Sequence, residues 1–480
     1  MPKDNELNAA QRRAVAELMR IWPVADELAH RFVAAGHELH LVGGPVRDAL
    51  LGRLGNDLDF CTDAHPDQTL KILHGWAEAT WETGREFGTI GAARRGLRLE
   101  VTTFRAEAYD GVSRNPSVQY GTSLTDDLRR RDFTVNAMAI SLPEHKFADP
   151  YGGLADLARR VIRTPGTPQE SFGDDPLRML RAARFVSQLR FTVDPAVVAA
   201  ITDMAGDLRR ITAERIREEF TKLLLGDDPI AGLRLLVETG LADQFLPELP
   251  GLRLEIDEHA QHKDVYEHTL TVVRNAISYE DGEPDFVLRM AALMHDIGKP
   301  ATKEVGKDGR VSFHHHEVVG ARMTRARMKA MRYPKDVITA VARLVSLHLR
   351  FYGYGRGEWT DSAVRRYVTD AAELLPRLHK LTRSDCTTRN RRKAAQLAAD
   401  YDALEERIVR LQAEEDLARV RPDLDGNAIM ELLGVPPGPV VGKAWRHLKE
   451  LRMERGPLSR EEAEAELFAW ARQEGVLPPH

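Results

Sequence analysis

The sequence predicts an α+β protein: an N-terminal mixed-sheet head, then an all-α neck and body, a further all-α domain and a helical tail. Three observations carry this. Strand-like and helix-like segments alternate before Pro165. The cluster Pro165-Gly166-Thr167-Pro168 then punctuates the chain. Beyond it, apolar residues recur at helical rather than strand spacing.

Composition bounds the function. The 480 residues suggest roughly two to four domains. A 43% hydrophobic content with 29% charged residues leaves ample core, and a formal net charge of −5 excludes a uniformly basic nucleic-acid coat. RNA binding would have to use local patches. The two cysteines, Cys61 and Cys386, are far apart; that is no disulfide framework and fits a reducing, cytoplasmic location. The N-terminus carries no apolar signal core, and no run of about 18 apolar residues predicts a membrane span.

In the head, residues 7–35 read as helical, with Leu18, Ile21, Val24, Leu28 and Phe32 at helical spacing. His37 to Val42 reads as a strand entering Gly43-Gly44, where the backbone can turn sharply and approach a ligand. Pro45 suits the first turn of a helix, with Arg47 and Asp48 following. Such a helix start aims N–H groups at an anion, for example a triphosphate. The next strand holds Asp57 and Asp59, which share a face because they are two apart. Like charges that close call for a cation between them, and a Mg²⁺ pair suits oxygen ligands. The reading is a metal-dependent phosphoryl or nucleotidyl transfer site. Two solvated aspartates in a surface turn are the alternative.

Pro66 to Ala79 reads as a helix. A hairpin begins at Thr89 and turns at Arg94-Arg95-Gly96. There Leu97, Leu99 and Val101 alternate with Arg98 and Glu100, so Glu100 is either a third carboxylate near the metal pair or a solvated edge residue. Ala106 to Asp126, with Gly111, Asn115-Pro116 and Gly121, reads as a mobile loop. Arg129-Arg130-Arg131 then runs into a strand-like apolar segment. Arginine forks match phosphate oxygens, and Asp132 and Asn136 suit ribose hydroxyls.

The body opens with Asp174-Asp175-Pro176-Leu177-Arg178. Asp175 before proline is a good helix N-cap. Arg178, Arg181 and Arg184 continue at a spacing of three, so an aspartate beside a donor fork could also read a base edge. A helix over Thr212 to Leu225 exposes Arg215, Arg217 and Lys222, and Leu246 to Gly251 marks the next boundary.

These motifs occur in an order that resembles the class II tRNA nucleotidyltransferases and bacterial poly(A) polymerases. They are Gly43-Gly44 with Arg47-Asp48, Asp57-x-Asp59, Arg130-Arg131-Asp132-Phe133-Thr134-x-Asn136, the Asp149 to Leu157 connector and Asp175-x-x-Arg178. The match covers about residues 25 to 250, and the whole chain is similar to CCA-adding enzymes of the actinobacterial type. The resemblance implies that Asp57 and Asp59 bind two Mg²⁺, and that Gly43, Gly44, Arg47 and Asp48 hold the triphosphate. Arg131 and Asp132 would contact the phosphates and ribose, and Asp175 and Arg178 would pair with CTP or ATP. Where many relatives carry Glu-Asp, this chain has Asp174-Asp175. The loop over 106–126 would help the switch from CTP to ATP.

Histidines mark the next domain. His268 lies in a helical stretch; His295-Asp296 ends a helix before Gly298; His316, His348 and Asp385 follow. The order resembles the HD phosphohydrolase superfamily. His295 and Asp296 would grip one divalent transition metal, with His316 and His348 enough for a second. His259 and His262 are weaker candidates, and His314 and His315 read as bystanders. Arg389, Arg391, Arg392 and Lys393 form either a solvated face or a contact to the tRNA elbow. Residues 402–415 read as an exposed amphipathic helix, and Pro436-Pro437-Gly438-Pro439 separates a last helical pair.

The expected organisation is a catalytic head at 1–167, a neck and body at 168–250 that reads the base and binds tRNA, an HD domain at 251–390 and a tail at 391–480. The expected function is addition of CCA to tRNA 3′ ends from CTP and ATP. The alternatives are a poly(A) polymerase, and an HD metal phosphohydrolase whose head only docks RNA.

Overall fold

The computed structural model describes residues 9–478 apart from 108–117, 122, 254, 259–260, 308–310, 352–353, 355–358, 389 and 415–421. The chain divides into two compact units, Met1–Phe245 and Leu246–His480.

The first unit is built on a seven-stranded sheet. Its strands are β1 (Leu39–Val42), β2 (Asp57–Thr62), β3 (Ala79–Trp81), β4 (Thr89–Arg94) and β5 (Leu97–Thr103), followed, after the separate pair β6 (Arg105–Glu107) and β7 (Val118–Tyr120), by β8 (Ala139–Leu142) and β9 (Lys146–Ala148). The order is β3-β4-β5-β2-β1-β8-β9. β2 and β5 run parallel while the other neighbours are antiparallel, so the sheet is mixed. Alternation decides its faces. Leu58, Phe60, Leu97, Leu99 and Val101 are buried, and Asp57, Asp59, Arg98 and Glu100 are exposed. The long helix α1 (Ala9–Ala34) joins that core through Ile21, Val24, Leu28 and Phe32. Each fully buried side chain of that size contributes about 1.5–3 kcal/mol.

Three details depart from the sequence pattern. The helix expected over Pro66 to Ala79 is α3 (Pro66–Leu73), following α2 (Gly44–Leu50). It stops early because Gly75 takes a left-handed φ of 71° and Ala79 is already in strand β3. The apolar segment after Arg131 is not strand throughout: Thr134–Asn136 is a 3-10 turn, and β8 begins at Ala139. The loop expected over 106–126 has ordered ends, because β6 pairs with β7 and Leu124–Arg129 forms helix α4. Residues 108–117, which carry Gly111 and Asn115-Pro116, lie outside the described residues.

The rest of this unit is helical: α5 (Gly153–Arg159), α6 (Pro168–Asp174), α7 (Leu177–Leu189), α8 (Pro195–Met204), α9 (Ala213–Leu224), α10 (Pro229–Glu238) and α11 (Leu241–Phe245). Helix α7 packs on both α9 and α10.

The second unit is mainly helical, with short strand pairs at 255–264 and 304–312. Its helices are α12 (Val265–Ser278), α13 (Phe286–Met294), α14 (His316–Ala330), α15 (Lys335–Leu347), α16 (Asp361–Ala371), α17 (Leu375–Asp385), α18 (Arg391–Glu414), α19 (Gly426–Leu433), α20 (Pro439–Arg455) and α21 (Arg460–Gln473). The last three share a core of their own around Ile429, Leu448 and Leu467. Among the described residues, no helix is long and apolar enough to cross a membrane.

Candidate functional site

The sheet brings three carboxylates onto one face. Asp57 and Asp59 alternate with buried neighbours on β2, and Glu100 on β5 is the register partner of Asp59. Asp59 is open to solvent yet ringed by protein, and its carboxyl is pushed up to about 6. Burial raises it most; Arg131 opposes that, and the charges of Glu100 and Asp57 push further upward. Three carboxylates thus share one face, and the charged form of Asp59 is disfavoured there, which is a condition that a divalent cation relieves.

Among the cations acting on Asp59, Arg131 opposes the rise most. Asp127 on α4 holds it, accepting from Arg131 Nη2 at 3.2 Å and from Arg130 Nε at 3.3 Å. The Asp127 carboxylate is buried, but the two guanidinium groups outweigh burial and keep it below the usual range. Gly43 is required here. Its φ is +75°, and a Cβ would lie 2.8 Å from Arg131 Nη1. Gly43 caps the start of α2, and Gly44 is its first residue.

A buried chain of hydrogen bonds extends from this point. Arg47 donates to both Asp48 carboxylate oxygens, at 3.0 and 2.8 Å, and to Asn136 Oδ1 at 2.5 Å. Asn136 Nδ2 donates to Asp132 Oδ1 at 3.0 Å. Asp132 Oδ2 accepts two bonds from Arg181. Burial alone would raise the Asp132 carboxyl, but Arg181 and Asn136 hold it well below the usual carboxylate range. Arg181 also pairs with Glu219 at 3.6 Å, and Arg184 Nη1 donates to the same carboxylate at 3.0 Å. Arg184 is 7% exposed, and burial together with neighbouring Arg181 brings its guanidinium down to about 10. So Arg47, Asp132, Asn136, Arg181 and Arg184 are brought together, but bonded to one another or to acidic partners.

At the start of α7, Asp175 does cap: its Oδ1 accepts from Leu177 N at 3.1 Å. Its Oδ2 accepts from Arg215 Nη2 at 2.8 Å, so that exposed arginine is not merely solvated. Arg178 donates to Ser171 Oγ at 3.0 Å and to the Arg130 carbonyl at 2.6 Å, tying α7 to the arginine block.

The second unit gathers its six candidate ligands. His268, His295 and Asp385 form one group and Asp296, His316 and His348 another, with ligand atoms in each within 4.8 Å of one another. The adjacent pair His295 and Asp296 at the end of α13 falls into different groups, but their side chains converge. Asp296 still reaches both: its Oδ2 lies 3.1 Å from His295 Nε2 and its Oδ1 3.3 Å from His316 Nε2. Every imidazole is turned by a partner at its other nitrogen. His295, His316 and His348 Nδ1 lie 2.8, 2.9 and 2.7 Å from the Ala292, Phe313 and Val345 carbonyls, and His268 Nδ1 is 3.0 Å from Thr387 Oγ1. A carbonyl only accepts, so those Nδ1 atoms carry the proton and Nε2 carries the lone pair, as a metal ligand must. His316 Nε2 and His348 Nε2 are buried without a hydrogen-bond partner, and Asp296 Oδ2 is paired with Lys299 Nζ at 2.9 Å. His348 is pushed down to about 4, chiefly by burial, so it is neutral near pH 7. These residues fit a divalent metal centre. His315 is 82% exposed, and His259 and the His262 side chain lie outside the described residues.

The chain is similar to known proteins along most of its length. Residues 39–163 match the family described as the poly A polymerase head domain, 190–252 the probable RNA and SrmB-binding site of polymerase A, and 265–410 the HD domain. The A-adding tRNA nucleotidyltransferase of Deinococcus radiodurans is 35% identical over 439 residues, 90% of this chain and 95% of that protein. The chain belongs to the tRNA nucleotidyltransferase and poly(A) polymerase family. The CCA-adding enzyme of Levilactobacillus brevis is 43% identical over 224 residues, 46% of this chain; the match spans about half, 55%, of that relative's length. Among solved structures, the Bacillus stearothermophilus CCA-adding enzyme in complex with CTP covers 94% of this chain, and 98% of its own is covered, at a TM-score of 0.68 and 25% identity. The Thermotoga maritima CCA-adding enzyme complexed with tRNA-CCA shares the fold at a TM-score of 0.59 and 18% identity.

As a member of this family, the chain carries partners that its motifs did not reveal: Asp127, Glu219 and Arg215. Asp127 had a signal, since it lies three and four residues before the arginines it holds. Glu219 and Arg215 had none, because their partners are distant in sequence.

Proposed function

We propose that the chain adds CCA to the 3′ end of tRNA, taking CTP and ATP and releasing pyrophosphate. The observation that carries the reading is the Asp57–Asp59–Glu100 face, three carboxylates on one side of the sheet with Arg131 acting on them. Asp57 and Asp59 would hold Mg²⁺, with Glu100 beside them. Bound there, the metal supplies charge stabilisation for the transferring phosphorus and a lowered pKa for the attacking hydroxyl. The chain's own part is positioning. The Gly43–Gly44 turn and Arg131 receive the triphosphate. Arg47, Asp48, Asn136, Asp132 and Arg181 keep the clamp in one geometry, with Arg184 locked behind them on Glu219. A ribose that reaches Asp132 has to displace Arg181. A base read by Asp175 and Arg178 has to replace Arg215 at the one and Ser171 or the Arg130 carbonyl at the other. Base choice is thereby a competition between internal and nucleotide hydrogen bonds, with no nucleic-acid template.

In this reading residues 1–167 are the catalytic head, 168–250 read the base and contact tRNA, 251–390 form the HD domain and 391–480 the tail. The HD ligands His268, His295, Asp296, His316, His348 and Asp385 would hold a divalent transition metal, as in a phosphohydrolase. Cytoplasmic location follows from the tRNA substrate.

A second reading, an enzyme that adds only the terminal A, is favoured by one observation. In sequence the A-adding relative matches along 90% of the chain, whereas the sequence match to the Levilactobacillus brevis CCA-adding enzyme covers 46%. One assay separates the two. With Mg²⁺, CTP and ATP, tRNA ending before CCA should gain three nucleotides. An A-adding enzyme would leave that tRNA unchanged and extend only tRNA already ending in CC.

A further inference from the structure

The turn before the metal-binding strand is held from outside the matched head domain. Helix α1 precedes residues 39–163, and its Arg20 reaches the segment that leads into Asp57. Arg20 Nη2 donates to the Leu54 carbonyl at 2.7 Å and to the Gly55 carbonyl at 2.8 Å, and Nη1 donates to Asn56 Oδ1 at 2.9 Å. Glu17, one turn back on α1, lies 3.7 Å from Arg20 Nε. The three acceptors belong to three consecutive residues, and the last is bonded covalently to Asp57. The Asn56 carbonyl in turn accepts from Arg98 N at 2.9 Å, beside the Asp57–Arg98 register pair where the β2–β5 ladder begins.

We infer that Arg20 is a positioning residue for nucleotidyl transfer: its guanidinium fixes the Leu54–Asn56 turn and so sets where the Asp57 carboxylate meets the metal. The inference rests on the carboxylate-site reading above. Geometry supports it over a merely structural role. Asp57 is the first residue of its strand and is exposed, and among the described residues the preceding turn and the Arg98 ladder bond restrain it on that side. A planar fork that meets three successive acceptors restrains both the position and the orientation of that turn, as an ammonium could not. Groups that orient a metal ligand from behind typically affect metal affinity by about 10–100-fold.

The test uses the full-length protein with Arg20→Ala, Arg20→Lys and Asn56→Ala. Three quantities are read: the Mg²⁺ concentration for half-maximal CTP incorporation, Mn²⁺ affinity by electron paramagnetic resonance, and hydrogen exchange at the Arg98 amide. Mn²⁺ bound by wild type but not by Asp57→Ala isolates the head site from the histidine cluster. Arg20→Ala should raise the Mg²⁺ requirement about tenfold or more, weaken the Asp57-dependent Mn²⁺ binding in step, and speed Arg98 exchange. The rate should recover at high Mg²⁺. Arg20→Lys should restore part of the affinity, and Asn56→Ala, which removes one of three bonds, should show a smaller shift. Unchanged Mg²⁺ and Mn²⁺ dependence, even with a lower melting temperature, would overturn the inference. If Arg20→Ala does not fold, the other two variants decide it on the same readouts. Wild-type protein that never incorporates CTP would refute the functional reading, while Mn²⁺ binding and amide exchange would still judge Arg20.

Discussion

The two metal-fitting clusters are built on opposite principles. In the head, the carboxylates are exposed on a sheet face, and the buried groups are the arginines and acids behind them. In the histidine cluster, five of the six candidate ligands are buried, His295 and Asp296 at most 2% exposed, and the rings of His295, His316 and His348 are each oriented by a carbonyl at the back. In the proposed function, the open arrangement is the one that would receive a triphosphate and an RNA end. The closed one spends its side chains on gripping the ion. The difference teaches that in the head a separate buried network stands behind the exposed carboxylates, whereas in the histidine cluster the candidate ligands are themselves the packed residues.

That contrast can be broken most decisively at the exposed face. Asp57→Ala should lower nucleotide addition roughly a thousandfold or more, the several kcal/mol expected of metal charge stabilisation. The melting temperature should hold, because the side chain is exposed. Retained activity would remove Asp57 from the metal site. The counterpart is His295→Ala, which should lose bound metal by elemental analysis while tRNA extension stays within about twofold, as independent sites usually behave.

The support behind the head site should register as stability. Glu219→Ala leaves buried Arg184 without its carboxylate, and breaking such a pair costs about 3–5 kcal/mol. Urea unfolding followed in the first unit measures it. A cost below about 1 kcal/mol would mean that Arg184 finds another partner or water.

Smaller effects sharpen the picture. Asp175→Ala should cost about 1 kcal/mol through the lost cap. It should also relax the preference for CTP and ATP over other nucleotides by roughly 10–100-fold, the worth of a hydrogen bond to a charged group. Steady-state selectivity that survives would leave Asp175 as a cap only. The smallest expected effect is on pH. Asp132 has its folded-state carboxyl depressed, so its stabilisation is complete above the ordinary carboxylate value of about 4 and is lost as pH falls below it. Between pH 4 and 2, wild-type melting should therefore fall more steeply than that of Asp132→Asn.

Local pattern made most of the head legible. The Leu97–Val101 alternation, the turn at Arg94-Arg95-Gly96 and the Asp57-x-Asp59 spacing are short-range features, and the sheet realises each of them. The six candidate metal ligands of the second unit were also readable, as residue types in order. What local pattern does not encode is who holds whom. Arg20 meets residues 34 to 36 positions away, Arg181 meets Asp132 across 49, and Arg215 meets Asp175 across 40. Those separations are set by packing α1 on the sheet and α9 on α7, so an arginine that reads as a solvated face becomes a structural clamp. The reverse error affected α3, where a helical pattern gave way to a left-handed glycine and a sheet edge.

The measurement that tests the central claim most directly is a single-nucleotide-resolution extension assay. Full-length protein with Mg²⁺, CTP and ATP is given tRNA ending before CCA, alongside an unrelated RNA. The account predicts C, then C, then A on the tRNA and an arrest after three additions, with the unrelated RNA untouched. Long A tails on the unrelated RNA, or no extension with phosphate released from a cyclic phosphodiester instead, would contradict it.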